Sequence, residues 1–155
     1  MKRSAVMALS ALLLVTLAAC GEGDTGTTDR APETEAGETG LTPFEEEHGI
    51  GPFTDEIVLA DEVDEEMARM GQEVYEFNCE ACHMLDESFV GPALGDVLDR
   101  RSPTWIANMI MNPEEMTQRH PVARELLQQY PMVMPYQNIS EEQARAMVEY
   151  FRTTR

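Results

Sequence analysis

An all-α domain is predicted by three features of this chain. Apolar residues after Asp64 recur at steps of three and four, with Met67, Met70, Val74 and Phe77 on one face. Helix-start signals recur as well: Ser102-Pro103 reads as an N-cap followed by a proline at the first helical position. Ser140-Glu141-Glu142-Gln143 reads as a capping box. No convincing strand pairing and no internal repeat is visible, and 155 residues set one globular domain as the prior.

The elements follow in order. Met1-Lys2-Arg3 is a short basic start, and the apolar run Ala5 to Ala19 is too short to span a bilayer comfortably. Its length suits the apolar core of a signal peptide. It ends Leu17-Ala18-Ala19-Cys20-Gly21, which resembles the lipobox of bacterial lipoproteins, with Cys20 as the acylated first mature residue. Residues 1–19 are therefore expected to be a lipoprotein signal peptide, and export with a lipid anchor follows. Residues 20–43 are rich in Gly, Thr, Glu and Asp, and cannot bury enough apolar surface to offset ordering entropy. They read as a flexible acidic tether with a reach of roughly 25 Å.

Residues 44–63 form an N-terminal extension whose structure the pattern does not decide. Glu45 to Pro52 is acidic and turn-rich, and Glu56 to Ala60 reads as a short extended piece packing on the domain. Residues 64–155 are the globular part. Its first helix carries Gly71 and Tyr75 one turn apart. A mid-helix glycine costs about 0.5–1 kcal/mol relative to alanine, so Gly71 is expected where another helix approaches closely. A loop spans Asp86 to Asp99. The helix opened by Pro103 carries Trp105, Ile106, Met109 and Ile110 and stops at Asn112-Pro113. Pro121 to Gln129 is the next helix, and the last carries Ala144, Met147, Val148 and Phe151 on its apolar side.

Charge limits the partners. The chain has 11 Lys+Arg against 29 Asp+Glu, a formal net charge of −18. Lys2 is the only lysine, so loss of the leader leaves none. Such a polyanion does not bind nucleic acid or an anionic lipid surface through its own charge. Membrane contact has to come from acyl chains on Cys20.

The chemistry is concentrated in Cys79-Glu80-Ala81-Cys82-His83, a C-x-x-C-H stretch. Two thiols at this spacing can each form a thioether to one vinyl group of a porphyrin, and the next histidine can ligate its iron. One covalently bound haem c is the cofactor expected. The cysteines then close: Cys20 for lipid, Cys79 and Cys82 for haem, and none left over among the three. A thioredoxin-like pair would want a βαβ context, which is absent. A zinc site would need four ligands, and His48 and His120 lack finger-like spacing.

The sixth iron position decides between electron transfer and gas or peroxide chemistry. Methionine–histidine ligation marks electron-transfer haems. Most of the 11 methionines are core fillers by default. Met132 and Met134 differ, because Pro131 and Pro135 keep their stretch from being helical. In an extended stretch both point the same way, about 6–7 Å apart. His120 or His48 is the alternative, giving a bis-histidine haem.

From Asp64 to Arg155 the chain resembles the small class I bacterial monohaem cytochromes c. The pieces are Gly71 with Tyr75, the Cys79–His83 motif, Gly91-Pro92-Ala93-Leu94, Met134-Pro135, and Tyr150-Phe151. The resemblance implies a fold with crossing first and last helices, Gly71 and Tyr75 packing on Met147 and Tyr150, and the haem enclosed by loops and short helices. It implies His83 as proximal ligand, and Met134, followed by proline, as distal ligand, with Met132 the alternative. The Pro92 carbonyl would accept the Nδ1–H of His83, and Trp105, Arg100 and Arg101 would meet the haem propionates.

The implied function is a tethered monomeric carrier of single electrons outside the cytoplasm, not an enzyme. Its redox partners would present a basic or apolar docking face, since the lysine ring of mitochondrial cytochromes c is missing. The rivals are a haem subunit or gas or redox sensor module of a larger membrane complex, and a peroxidase-type enzyme.

Overall fold

The computed structural model describes residues 38–154. The signal peptide, Cys20 and most of the expected tether lie outside the described residues. The described residues are helical, without strands: α1 (Pro43–His48), α2 (Glu65–Asn78), α3 (Val97–Arg100), α4 (Pro103–Met111), α5 (Pro113–Arg119), α6 (Pro121–Gln129) and α7 (Glu141–Phe151). None of these helices is long and apolar enough to cross a membrane.

The caps explain the boundaries. Asp64 accepts from the N–H groups of Glu66 and Met67 and starts α2. Ser102 caps α4 through the Trp105 N–H, with Pro103 at its first position. The box at Ser140 closes in both directions with Gln143 and starts α7. Each such cap contributes about 1 kcal/mol. Three helices were not expected. Thr42 and Glu45 form a second capping box that makes α1 out of the acidic segment. The four-residue α3 lies inside the expected loop, and α5 follows Pro113, where proline starts a helix as well as ending one.

Helices α2 and α7 form the largest helix pair of the domain. They touch at Gly71, where an added Cβ would collide with the carbonyl of Ala146 on α7. Beside that contact Tyr75 packs on Tyr150 at 5.5 Å and edge-on to Phe151 at 6.1 Å between ring centroids. The face of α2 turned to the core is therefore Ala68, Gly71, Val74 and Tyr75. This corrects the expected stripe: Phe77 is 87% exposed, and Met67 and Met70 are only half-buried.

From Leu41 on, the segment up to residue 63 is packed rather than loose. Leu41, expected to end the tether, is fully buried, and Ile50, Phe53 and Ile57 join it in the core. Burying each of these large side chains is worth roughly 1.5–3 kcal/mol. Buried side chains of α4 supply the polar half of the seam. Asn108 accepts from the Phe53 N–H at 3.0 Å and donates to the carbonyls of His48 and Phe53 at 3.0 and 3.1 Å. Thr104 accepts from the Ile57 N–H at 2.7 Å. At the far end Arg152 holds the Ala60, Asp61 and Glu62 carbonyls, and Glu149 accepts from the Asp64 N–H. The segment is a strap laid over α4 and α7.

Candidate haem site

Cys79, Cys82 and His83 follow the C-terminal end of α2 and enter one large cleft. The cleft holds about 1350 Å³ of empty space with its open mouth included. Its wall is mostly apolar, with Ile106 from α4, Leu126 from α6, and Met147 and Phe151 from α7. Across from the cysteines lies the stretch 132–135, so Met132 and Met134 both line the same space.

His83 is fixed from two directions. Its Nδ1 lies 2.9 Å from the Pro92 carbonyl, and its own carbonyl accepts from the Tyr75 hydroxyl at 2.6 Å. A bond from Nδ1–H to Pro92 leaves Nε2 unprotonated and free to ligate. Gly91 makes this approach possible, because an added Cβ would run into the imidazole ring. The loop is laced further by Gly91 N–H to the Cys82 carbonyl, Leu94 N–H to Met84 and Gly95 N–H to Leu85, all at 2.9 Å. The Tyr75 hydroxyl pKa is pushed up to about 12, first by burial and then by the charge of Tyr150 and nearby acids, so it stays a donor.

The free Cys79 thiol is pushed up to about 11, mainly by burial and secondarily by Cys82. A thiol so fully protonated is a poor spontaneous nucleophile. The two cysteines form no disulfide with each other.

Trp105 and both arginines reach the cleft. Trp105 is 5% exposed, and its Nε1–H has no acceptor among the described residues. A buried indole donor without a partner is costly and calls for an acceptor group. A haem carboxylate would meet that need, so the donor set fits the cofactor. Arg101 lies over the Trp105 ring at 5.2 Å, and Arg100 binds the Ala93 carbonyl at 2.6 Å and Asp96 at 2.7 Å.

The two other histidines are placed elsewhere. His48 pairs its Nδ1 with Ser102 Oγ at 3.1 Å and its Nε2 with Glu56 at 3.3 Å. His120 lies 3.2 Å from the Glu46 carbonyl through Nε2, and neither ring lines the cleft. The Tyr75–His83 bond and the Asn108 clamp were not foreseen. The only hint of either was a polar side chain in a strongly apolar helix register.

The comparisons agree with this geometry. The family model for cytochrome c matches residues 68–155. No curated protein sequence matches the chain. Among solved structures, a cytochrome c from Rhodothermus marinus is 44% identical over 72% of this chain and 96% of its own, with a TM-score of 0.68. An engineered form of that protein, described as bound to a carbene intermediate, gives 44% identity, the same coverage and a TM-score of 0.65. The cofactor that follows is covalently attached haem c with its iron, and Cys79 and Cys82 are consistent with its attachment motif. Fold, motif and relatives converge: this chain belongs to the cytochrome c family, as a class I c-type cytochrome that carries electrons on haem.

Proposed function

We propose that the protein is a membrane-tethered monohaem cytochrome that relays single electrons between respiratory partners outside the cytoplasm. The observation that carries this reading is the meeting of Cys79, Cys82 and His83 with a methionine segment across one apolar cleft. Cys79 and Cys82 would hold the porphyrin, with His83 and Met134 as the axial ligands. The haem supplies the one-electron iron couple.

The protein's own groups set the conditions for that couple. Pro92 and Tyr75 hold the His83 ring and backbone still, which keeps reorganisation on electron transfer small. The indole N–H of Trp105, with Arg100 and Arg101, would hold the propionate charge. The apolar walls would keep water from the metal, and a thioether ligand would favour the reduced state.

The leader at residues 1–19 and the acylatable Cys20 support export and a lipid anchor facing the periplasm or cell exterior. Docking would use the mouth of the cleft, where Met132 and Val133 are exposed, with Phe89 next to Val90. The acidic charge favours a partner with a basic or apolar face.

Two measurements test the reading. The oxidised holoprotein should be low-spin with a methionine–iron charge-transfer band; high-spin iron in the wild type refutes the relay. Full-length protein should fractionate with membranes, and Cys20→Ser should release it; a soluble wild type overturns the anchor alone.

A further inference from the structure

The two sides of the cleft are held very differently. On the His83 side, the loop is tied by five hydrogen bonds, counting Pro92, Tyr75 and the three backbone pairs at Gly91, Leu94 and Gly95. On the opposite side, the last bond is from the Met132 N–H to the Tyr130 carbonyl at 2.7 Å. The next is at Ser140, whose N–H donates to Gln143 as α7 begins. Between them, residues 133–139 make no hydrogen bond among the described residues. Pro131 and Pro135 have no N–H to offer. Asn138 has φ +56, an elbow from which Ile139 turns back into the core.

One thioether, that of Met134, rides on this untied segment, and a second, that of Met132, sits at its tied edge. Met132 and Met134 both line the cleft that Cys79, Cys82 and His83 enter. In an extended chain residues two apart share a side. Met109 and Met147 also line it, but they sit on α4 and α7, whose backbones are held by helical hydrogen bonds. Met134 also borders a second, smaller hollow, formed with Thr117, Leu127, Pro135 and Tyr136. That hollow, which Pro113, Glu114 and Gln118 also border, gives its thioether a place to go when it leaves the first cleft.

We propose that Met132 is a second distal ligand for the same iron, so that the segment 131–135 offers two interchangeable thioethers for one coordination position. Exchange needs no backbone hydrogen bond in 133–139 to break. Two unbranched thioethers with three rotatable bonds each present the iron with the same donor atom. The consequence is tolerance to loss of one of them. Oxidation to the sulfoxide destroys a methionine as a soft ligand, and Met132, 62% exposed, is the more open of the pair. With a spare in reach, the iron stays six-coordinate after one hit.

This inference rests on the proposed haem ligation, and the test separates the two. Met132→Leu, Met134→Leu and the double variant are prepared as full-length holoproteins, with helix content checked by circular dichroism. The thioether–iron charge-transfer band, the spin state and the midpoint potential are read in each. The expected result is that both single variants keep the band and remain low-spin, and that the double variant loses both. Loss of the band in either single variant means one fixed ligand and overturns the inference. A double variant that keeps the band overturns it too, by pointing to another methionine. A wild type without the band overturns the ligation itself, before the variants are compared.

Discussion

Replacing Asn108 with alanine should loosen the strap without touching the haem. Asn108 is fully buried, and beside a long contact to the Gly49 carbonyl at 3.4 Å its amide makes close bonds to three backbone groups across the seam: the Phe53 N–H and the carbonyls of His48 and Phe53. Alanine leaves all three without partners. Each buried polar group left unpaired costs about 1–3 kcal/mol. Water entering the vacated volume recovers part of that, so a loss of about 3–4 kcal/mol is expected. The chain has one tryptophan, Trp105, buried on the same helix and lining the haem cleft. Its fluorescence should be quenched by the haem in the native holoprotein and recover on unfolding, so a urea titration reads the loss directly. The visible spectrum should stay that of the wild type, because Asn108 does not line the cleft. Thr104→Val, which removes a single acceptor from the Ile57 N–H, should lose only about 1–2 kcal/mol. A loss below 1 kcal/mol for Asn108→Ala would mean that the strap is not integral to the fold, and would refute the clamp.

Three further outcomes are expected. Gly71→Val should disrupt the α2–α7 crossing, because any Cβ there meets the Ala146 carbonyl; a loss of at least about 3 kcal/mol in the same titration is predicted. Trp105→Phe keeps the ring and removes the unpaired N–H; the midpoint potential should fall, since an unneutralised propionate stabilises ferric iron, and an unchanged potential would remove Trp105 from the propionate site. His120 is held below its ordinary pKa, chiefly by burial and against the pull of the Glu46 and Glu45 carbonyls, with Arg101 adding to the depression. Its stabilising contribution is thus complete above the unfolded value of about 6.5 and is lost as pH falls through the folded value, at up to about 1.4 kcal/mol per pH unit. Urea midpoints between pH 7 and 4.5 should show this slope in the wild type and a shallower one in His120→Gln.

The elements that were legible in the sequence are those with local signals. Ser102-Pro103 and the box at Ser140 each start a helix within a few residues of chain, and apolar periodicity marked α2 and the stretch Pro121–Gln129, so α2, α4, α6 and α7 were visible. The cleft residues Cys79, Cys82 and His83 were visible because their spacing alone encodes the chemistry. The face of α2 was misjudged for a physical reason. The packed side is chosen by how close α7 can come, which favours Ala68 and Gly71, and small residues leave no hydrophobic mark. Phe77 carried the larger apolar signal and points to solvent. The strap was illegible because its bonds are remote: Phe53 meets Asn108 across 55 positions, and Ala60 meets Arg152 across 92. The Tyr75–His83 bond spans only eight positions, yet nothing in composition distinguishes a tyrosine that packs from one that also donates.

The strap also decides where a pull on the chain would be felt. Force applied at the N-terminal end, by a lipid anchor or by a linker to an electrode, enters the folded part at Leu41 and α1. It meets the Asn108 and Thr104 bonds in series and then the Arg152 grip before it reaches α2, which leads into the haem motif. The mechanical load path therefore runs first through α4 and α7, before the loop at Cys82–Leu94. An attachment made at residue 64 would hang the protein directly from that helix, and its haem would register every tug.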